Sequence, residues 1–378
     1  MINSVSFAAR DYVDFEEKFK SNLANLPFKP TIAFVFLSID LPIDEIIQKF
    51  KENNIQVIGA SSCGELLFDN SLEVISDSGI VITITDIKKQ YYYQNMFKRE
   101  ELNSYDFGKH IGQFVKKKFQ NPSVIITASG LTLDGQELVE GIVSGAGQIT
   151  TMFGGLAGDN AKFERTVTFN ENGITESGAN VLVIDSDNIS VVGLATSGWV
   201  GLGAELEVTK STSNIVYEIG GLPALEVYTN YLSVNVDDLP AIGIEYPLMI
   251  LREDNVEALR AVLGIDKDKG ALIFAGSVPE GSIVTFSSSP GFDVVDNTIS
   301  EVEKFYKLYP KGDLFLLFSC MARHLALGPM IADEISLASK KWNAPVIGFF
   351  TYGEIGSNEN KTCDFYNQTY SLVQLTEK

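Results

Sequence analysis

The sequence predicts an α/β (mixed α+β) fold: two lobes of mixed β-sheets with helices on their outer faces. The first observation behind this is a strand, helix, strand pattern that recurs along the chain. The second is a repeated window, since "VIGASSCGE" at residues 57–65 returns as "VIGFFTYGE" at residues 346–354. The third is that each unit is followed by runs of strand propensity, such as "GIVITITDI", which favour added antiparallel strands.

The first unit follows an opening amphipathic helix at residues 11–24, where apolar residues such as Phe15 and Phe19 recur at helical spacing. "TIAFVFLSI" from Thr31 is a continuous apolar run, typical of a strand buried on both faces. "PIDEIIQKFKENN" predicts a short helix, and "IQVIG" predicts the return strand. Such a crossover predicts that the two strands are parallel neighbours.

The second half of the chain repeats this order. "DLFLLFS" from Asp313 predicts a buried strand, "LGPMIADEISLASKKW" a helix and "APVIG" the return strand. A looser relative lies between the two units: strand "SVIITASG" from Ser123, helix "DGQELVEGIVSGAG", then "TMFGGLAGD". Between the outer units, "LRAVLGIDKDKGALIFAG" predicts a hairpin that turns at residues 268–270.

A chain of 378 residues is most simply interpreted as two domains, each large enough to bury its own core. No Pro-rich or Ser-rich linker separates them, so the boundary is placed near Gly220, after a long β-rich stretch. The predicted organisation is an N-terminal helical segment at 1–30, a first domain at 31–219 and a second at 220–378. Two closely packed lobes are expected.

The amino-acid composition excludes several classes of protein function. The chain is 45% hydrophobic and 21% charged, the proportions of a globular protein. Its formal net charge of −20 opposes binding to nucleic acid or to anionic membrane surfaces. Three cysteines are too few for a disulfide framework, and neither a secretory signal nor a membrane-spanning run is expected, so a cytoplasmic protein is predicted. Two histidines exclude a His-rich metal site.

The chain resembles the FIST family of bacterial sensory proteins from about Thr31 onward. The motifs that carry the resemblance are "GASSCGE", "FGGLAGDN", "GSVPEGS", "SCMAR" and "PVIGFFTYGEIG", followed by Asn367 and Thr369. The resemblance implies a FIST N-terminal and a FIST C-terminal domain that sense a small ligand, an amino acid or a related metabolite. It also implies output through a kinase, cyclase or chemoreceptor. Because the chain has no room for such an output domain, a stand-alone sensor acting through a partner is expected.

The candidate site lies where the strands of each unit end, because open α/β sheets bind ligands at their carboxyl edges. Glu65, Glu354 and Asp159 are candidates to accept hydrogen bonds from a ligand ammonium, or else turn carboxylates that cap local amides. Arg323 offers a planar fork for a ligand carboxylate, so Arg323 with Glu354 would hold the two ends of an amino acid. The alternative is a structural ion pair between these two residues. The other candidate ligand contacts are Ser61, Ser62, Thr351, Tyr352, Cys320 and Asn367.

Two further hypotheses stay open. Some members of the family bind haem and respond to nitric oxide, and His324 would then be the axial ligand. A hydrolase would use a carboxylate, or Cys63 or Cys320 as its nucleophile, although a small buried core cysteine is the commoner role. No enzyme activity is expected, and the glycines of "SGAG" and "GLG" do not form a nucleotide-binding fingerprint.

Overall fold

The computed structural model describes residues 1–69, 72–147, 149, 151–239, 241–251, 258–289, 291, 293–357 and 362–378. The helices are α1 (Tyr12–Ala24), α2 (Ile43–Glu52), α3 (Ser104–Val115), α4 (Gly135–Ala146), α5 (Ala224–Leu232), α6 (Ala241–Glu245), α7 (Asp293–Leu308), α8 (Met321–Leu327), α9 (Ile331–Ile335) and α10 (Leu337–Trp342). Within these residues, no helix combines the length and the apolar character that crossing a membrane requires.

The strands of the first half are β1 (Ser4–Ala9), β2 (Ile32–Leu37), β3 (Gln56–Ser61), β4 (Glu65–Phe68), β5 (Glu73–Ser76), β6 (Ile80–Thr85), β7 (Tyr92–Lys98), β8 (Pro122–Ala128), β9 (Thr151–Leu156), β10 (Thr168–Asn170), β11 (Gly173–Thr175), β12 (Gly178–Asp185) and β13 (Ile189–Thr196). Those of the second half are β14 (Val200–Thr212), β15 (Ile215–Ile219), β16 (Leu222–Pro223), β17 (Leu248–Leu251), β18 (Ala258–Arg260), β19 (Val262–Asp266), β20 (Ala271–Phe274), β21 (Ile283–Ser288), β22 (Leu314–Cys320), β23 (Val346–Thr351), β24 (Glu354–Ser357), β25 (Cys363–Tyr366) and β26 (Tyr370–Glu377).

Three of the sheets share one design. The first sheet has the order β1-β6-β2-β3-β10-β11, the second β7-β12-β8-β9-β24-β25 and the third β13-β26-β22-β23-β4-β5. Within the described residues, the parallel neighbours in each sheet are the two strands of a strand, helix, strand unit, which are β2 with β3, β8 with β9 and β22 with β23. The mixed sheets and the repeated units predicted from the sequence are therefore confirmed.

Each repeat passes a hairpin to another repeat. The hairpin β4–β5 follows the first unit along the chain but pairs with β23 in the third sheet. The hairpin β10–β11 follows the second unit and pairs with β3, and β24–β25 follows the third unit and pairs with β9. The three repeats thus exchange hairpins in a closed cycle, so strands from both sides of residue 220 share sheets.

The first repeat begins earlier than the sequence predicts. Residues 1–30 contain the expected helix, with the Asp11 side chain accepting from the Asp14 amide at its N-cap. They also contain β1, which pairs antiparallel with β6 at the edge of the first sheet. The short run "SVSFAA" alternates only weakly between apolar and polar residues, so the sequence pattern gave no strand there.

The third repeat is interrupted by a fourth sheet, which we call the inserted sheet. It runs β18-β17-β21-β14-β15-β20-β19, with β16 paired to β15, and lies between β13 and α7 along the chain. The hairpin predicted to turn at residues 268–270 is present as β19 and β20. The inserted sheet has its own apolar cluster, built around Tyr228, Phe274 and Phe286.

The main core lies between the inner faces of the three repeated sheets. Phe36 and Phe349 pack with tilted rings whose centroids are 4.5 Å apart, and Phe318 lies edge-on to Phe349 at 5.8 Å. The outer faces are covered by helices: α1 and α2 on the first sheet, α3 and α4 on the second, and α7, α9 and α10 on the third. This layering leaves the carboxyl ends of the parallel strands facing the loops and the inserted sheet.

Candidate functional site

A cavity of about 180 Å³ lies where the carboxyl ends of β8, β9, β22 and β23 meet the inserted sheet. The repeated sheets contribute strand ends and the loop after β8, and the inserted sheet closes the opposite wall with Ala261, Leu263 and residues 274–276. Four of the predicted ligand contacts line it, namely Cys320, Thr351, Tyr352 and Asn367. The remaining lining residues are Gly130, Leu131, Leu133, Asp134, Gly135, Leu156, Phe163, Asn214, Met321 and Ala322.

Asn367 is the unusual polar group of this cavity. It sits in the turn between β25 and β26 and is only 1% exposed. Both polar atoms of its side-chain amide, Oδ1 and Nδ2, are buried without a hydrogen-bond partner. A buried polar group without a partner costs about 1–3 kcal/mol, so a native fold that keeps one usually has a use for it.

Glu354 lies behind the wall formed by Thr351 and Cys320. Its carboxyl is fully buried and accepts hydrogen bonds from the Thr351 hydroxyl and, at 3.2 Å, from the Thr369 amide. Burial raises the pKa of Glu354 to about 8, and burial together with the neighbouring Glu354 carboxyl raises the pKa of the Cys320 thiol. Burial therefore favours the protonated form of this carboxyl at neutral pH.

Tyr352 connects the cavity to the loop at residues 157–167. Its ring stacks on Phe163 with centroids 4.8 Å apart, and its hydroxyl donates to Asp159. Asp159 does not reach the cavity, because its carboxylate accepts the backbone amides of Phe163, Glu164 and Arg165 at 2.7–3.0 Å. In this structure Asp159 holds the loop together, as the turn-carboxylate alternative describes.

Glu65 occupies the matching position in the third sheet but lies away from the cavity. Its carboxyl is fully buried, accepts from the Ser62 hydroxyl and takes the Gly79 amide at 2.9 Å. Burial raises the pKa of Glu65 to about 7. Ser61 donates to the Gly158 carbonyl at 2.7 Å and accepts from the Val167 amide at 3.0 Å. A direct ligand contact by Ser61, Ser62, Glu65 or Asp159 stays a prediction.

Arg323 is engaged elsewhere. Its guanidinium is fully buried and pairs with Glu334, with Nε 2.8 Å from Oε2 and Nη2 donating to Oε1. The remaining donors go to the Ser197 and Gln368 carbonyls and to the Thr298 hydroxyl. Since all five N–H groups of the guanidinium have acceptors, none is left for a ligand carboxylate. Recognition of an amino acid by Arg323 with Glu354 stays a prediction, and it requires Arg323 to leave Glu334.

His324 and Cys63 also lie outside the lining of the cavity. The His324 ring stacks on Phe350 with centroids 4.1 Å apart, and burial lowers its pKa. Burial raises the pKa of Cys63 to about 11, which opposes formation of the nucleophilic thiolate. Within the residues that the structure describes, no three His, Cys, Asp or Glu side chains form a group that could hold a metal ion. The haem and hydrolase hypotheses stay predictions.

Sequence reasoning missed two residues that shape the site. Arg260, fully buried on β18, donates to the carbonyls of Leu259 and Phe365 and to the Gln136 side chain, which ties the inserted sheet to α4 and β25. Asp134 caps α4 and accepts from the Ser277 hydroxyl at 2.6 Å. An arginine inside the apolar run "ALRAVLG" was the available signal for Arg260, because a lone cation in a buried strand needs acceptors.

Residues 31–222 match the FIST N domain and residues 224–357 match the FIST C domain, which together cover nearly the whole chain. None of the curated proteins matches the chain. Among solved structures, the chain is similar to a cyanuric acid hydrolase from A. caulinodans, with a TM-score of 0.35 and 6% sequence identity over 100% of both chains. A likeness at that level supports no argument about fold or activity. On the two domain matches, this chain belongs to the FIST family, whose domains are sensory domains of signal transduction.

Proposed function

We propose that this protein is a cytoplasmic sensor that binds a small polar metabolite in the cavity lined by Asn367 and passes the signal to a partner protein. The candidate ligands are amino acids and related metabolites, and the candidate partners are a kinase, a cyclase or a chemoreceptor. The single observation that carries the proposal is the buried, unpartnered amide of Asn367 on the wall of this cavity.

The size and chemistry of the cavity support a small ligand. Its volume of about 180 Å³ is below the range of about 300–1,000 Å³ typical of sites for drug-sized molecules. Its lining is mainly apolar, and its polar side chains are those of Asn367, Asn214, Thr351, Tyr352, Cys320 and Asp134. Such a mixture favours a compact ligand with one polar edge.

The position of the cavity supports a sensory role. Its walls come from the second and third sheets and from the inserted sheet, so a bound ligand would contact three parts of the fold at once. Tyr352 also links the cavity to the loop that Asp159 organises. A ligand that prefers one arrangement of these parts shifts their equilibrium, which is what a sensor requires.

The test is Asn367→Leu in the full chain, assayed by thermal unfolding against amino acids, amino acid amides and organic acids. A compound present at about 100 times its Kd adds about 2.7 kcal/mol to stability, so binding to the wild-type chain is expected to raise Tm by several degrees. The leucine keeps the branched shape of the side chain, although it is somewhat larger, and it cannot form the hydrogen bonds, so this rise is expected to disappear. Without ligand, Asn367→Leu is expected to be as stable as the wild type or more stable, because it removes an unpartnered amide.

Ser319→Ala is the matched control. The Ser319 hydroxyl is also buried without a partner, but it does not line the cavity. This variant is expected to keep the full ligand response. A rise in Tm that survives in Asn367→Leu would show that the ligand binds elsewhere.

A further inference from the structure

We propose that the cavity selects a neutral ligand that presents an N–H next to a C=O, the edge of a carboxamide or of a lactam ring, and rejects ionised carboxylates. The inference rests on the proposed function, because it takes the cavity at Asn367 as the binding site. It differs from the amino-acid expectation, in which a guanidinium would hold a ligand carboxylate.

The side-chain amide of Asn367 sets the hydrogen-bonding pattern that a ligand must match. Its amide offers a donor at Nδ2 and an acceptor at Oδ1 side by side, and both are buried without a partner. The complement is an acceptor next to a donor, the pairing that asparagine and glutamine make with nucleobase edges. A carboxylate has acceptors only, so it would satisfy Nδ2 and leave Oδ1 facing another oxygen.

The charges of the side chains around the cavity also disfavour an ionised carboxylate. Among the residues that the structure describes, the side chains that line the cavity include no lysine, arginine or histidine, and Asp134 is the one ionisable carboxylate. Two buried guanidiniums already have acceptors within the protein, Arg323 in five hydrogen bonds and Arg260 with carbonyls and the Gln136 side chain. An ionised carboxylate would lose its hydration in this cavity without gaining a cation, which disfavours its binding.

Asp134 does not demand a cationic ligand either. Its Oδ1 accepts the Glu137 amide at 3.0 Å, as the N-cap of α4. Its Oδ2 accepts the hydroxyls of Ser277 at 2.6 Å and Ser213 at 3.3 Å. Both oxygens therefore have donors from the protein, and a neutral ligand leaves this arrangement intact.

The walls of the cavity are partly aromatic and aliphatic. Tyr352 and Phe163 stack with an interplanar angle of 6°, and Phe274 and Leu156 add further apolar surface to the cavity. Aromatic and aliphatic walls favour a flat apolar body on the ligand behind its polar edge. A small aromatic amide or a cyclic amide combines both features within the available volume.

The experiment compares matched acid and amide pairs. Nicotinamide with nicotinate and benzamide with benzoate are titrated into the full chain at pH 7.5 by calorimetry, with thermal unfolding in parallel. The neutral member of at least one pair is expected to bind about tenfold or more tightly than its acid, since a mispaired buried oxygen costs about 1–3 kcal/mol. Asn367→Asp, which exchanges the Nδ2 donor for an oxygen, is expected to lose this binding, and Ser319→Ala to keep it.

Three results would overturn the inference, and they separate it from the proposed function. If the acids bind as tightly as the neutral members and both lose binding in Asn367→Leu, the cavity is the site but the ligand class is wrong. If none of the neutral probes binds at 10 mM, the ligand class is wrong as well. If a neutral probe binds Asn367→Leu and the wild type equally, both the ligand class and the proposed site are wrong.

Discussion

At the scale of single residues, two fully buried carboxyls stand at equivalent places in the repeats. Glu65 pairs with Phe349 across the third sheet, and Glu354 pairs with Gly155 across the second. In the first sheet the corresponding partner of Ala60 is Thr168. Each glutamate accepts from a hydroxyl three residues before it and from an amide that leads into the next strand, so it joins an exchanged hairpin to its own repeat.

These carboxyls predict a pH dependence of stability. The pKa values of Glu65 and Glu354 rise on folding to about 7 and about 8, so between about pH 5 and pH 7 the folded chain holds protons that the unfolded chain has lost. The free energy of unfolding is therefore expected to fall as pH rises through this window, by at most about 1.4 kcal/mol per pH unit for each group. The loss continues for Glu354 up to about pH 8.

The measurement is urea unfolding from pH 5 to 8 of the wild type and of the double variant Glu65→Gln with Glu354→Gln. Gln keeps the shape and cannot ionise, so the double variant is expected to show a flatter slope. Glu17→Gln, on the exposed face of α1, is the control and is expected to follow the wild type. Equal slopes for the wild type and the double variant would contradict the assignment.

At the scale of elements, α3 and α4 cross at unusually short range because both carry glycines four residues apart. A Cβ added at Gly108 or Gly112 would lie 2.3 or 2.2 Å from the backbone oxygen of Leu138 or Ile142. The relation is reciprocal, since a Cβ at Gly141 or Gly145 would lie 2.1 or 2.2 Å from the backbone of α3. The glycines around "SGAG" thus serve the packing of two helices.

Because the two helices are this close, adding a single methyl group at one of these glycines is expected to have a large effect on the stability of the protein. Gly112→Ala is expected to push α3 away from α4 and to lower the free energy of unfolding by about 1–3 kcal/mol, although alanine has the higher helix propensity. Gly264→Ala is the control, because an added Cβ there would have its nearest neighbour at 3.6 Å. Urea midpoints compare the two variants with the wild type. A Gly112→Ala chain as stable as the control would mean that the helices can separate without loss.

At the scale of the whole molecule, the three repeats depend on one another through their exchanged hairpins. The strand β13 pairs along its length with β26, and β4 pairs with β23, so the N-terminal half completes the third sheet of the C-terminal half. In return β24 covers the edge of β9. Separating the halves would expose apolar strand edges on both.

A fragment of residues 1–222, which holds the FIST N domain match, is therefore expected not to fold by itself. Far-UV circular dichroism with urea unfolding is expected to show no cooperative transition for the fragment alone. Mixing or co-expressing it with residues 223–378 is expected to restore one. A monomeric fragment that unfolds cooperatively would instead support two independent domains divided near residue 220.

Much of the fold was predictable because it is encoded locally. Apolar runs such as "TIAFVFLSI" and "DLFLLFS", and helical spacing between them, indicate strand, helix, strand units from neighbouring residues alone. The repeat of "VIG" at residues 57–59 and 346–348 also marked equivalent strands. Four of the predicted ligand contacts line the cavity, because the carboxyl ends of parallel strands collect at one edge of a sheet.

The sequence by itself determined the repeated units, the order of their strands and helices, and membership of a sensory family. Only the tertiary structure decided which strand each hairpin joins, that Arg323 pairs with Glu334 rather than Glu354, and that Asn367 is left without a partner beside a cavity. The physical reason is the separation along the sequence between the residues that interact. Periodicity reports which face of an element is apolar, whereas hydrogen-bond partners and cavities depend on residues that are distant in sequence and become neighbours only when the sheets pack.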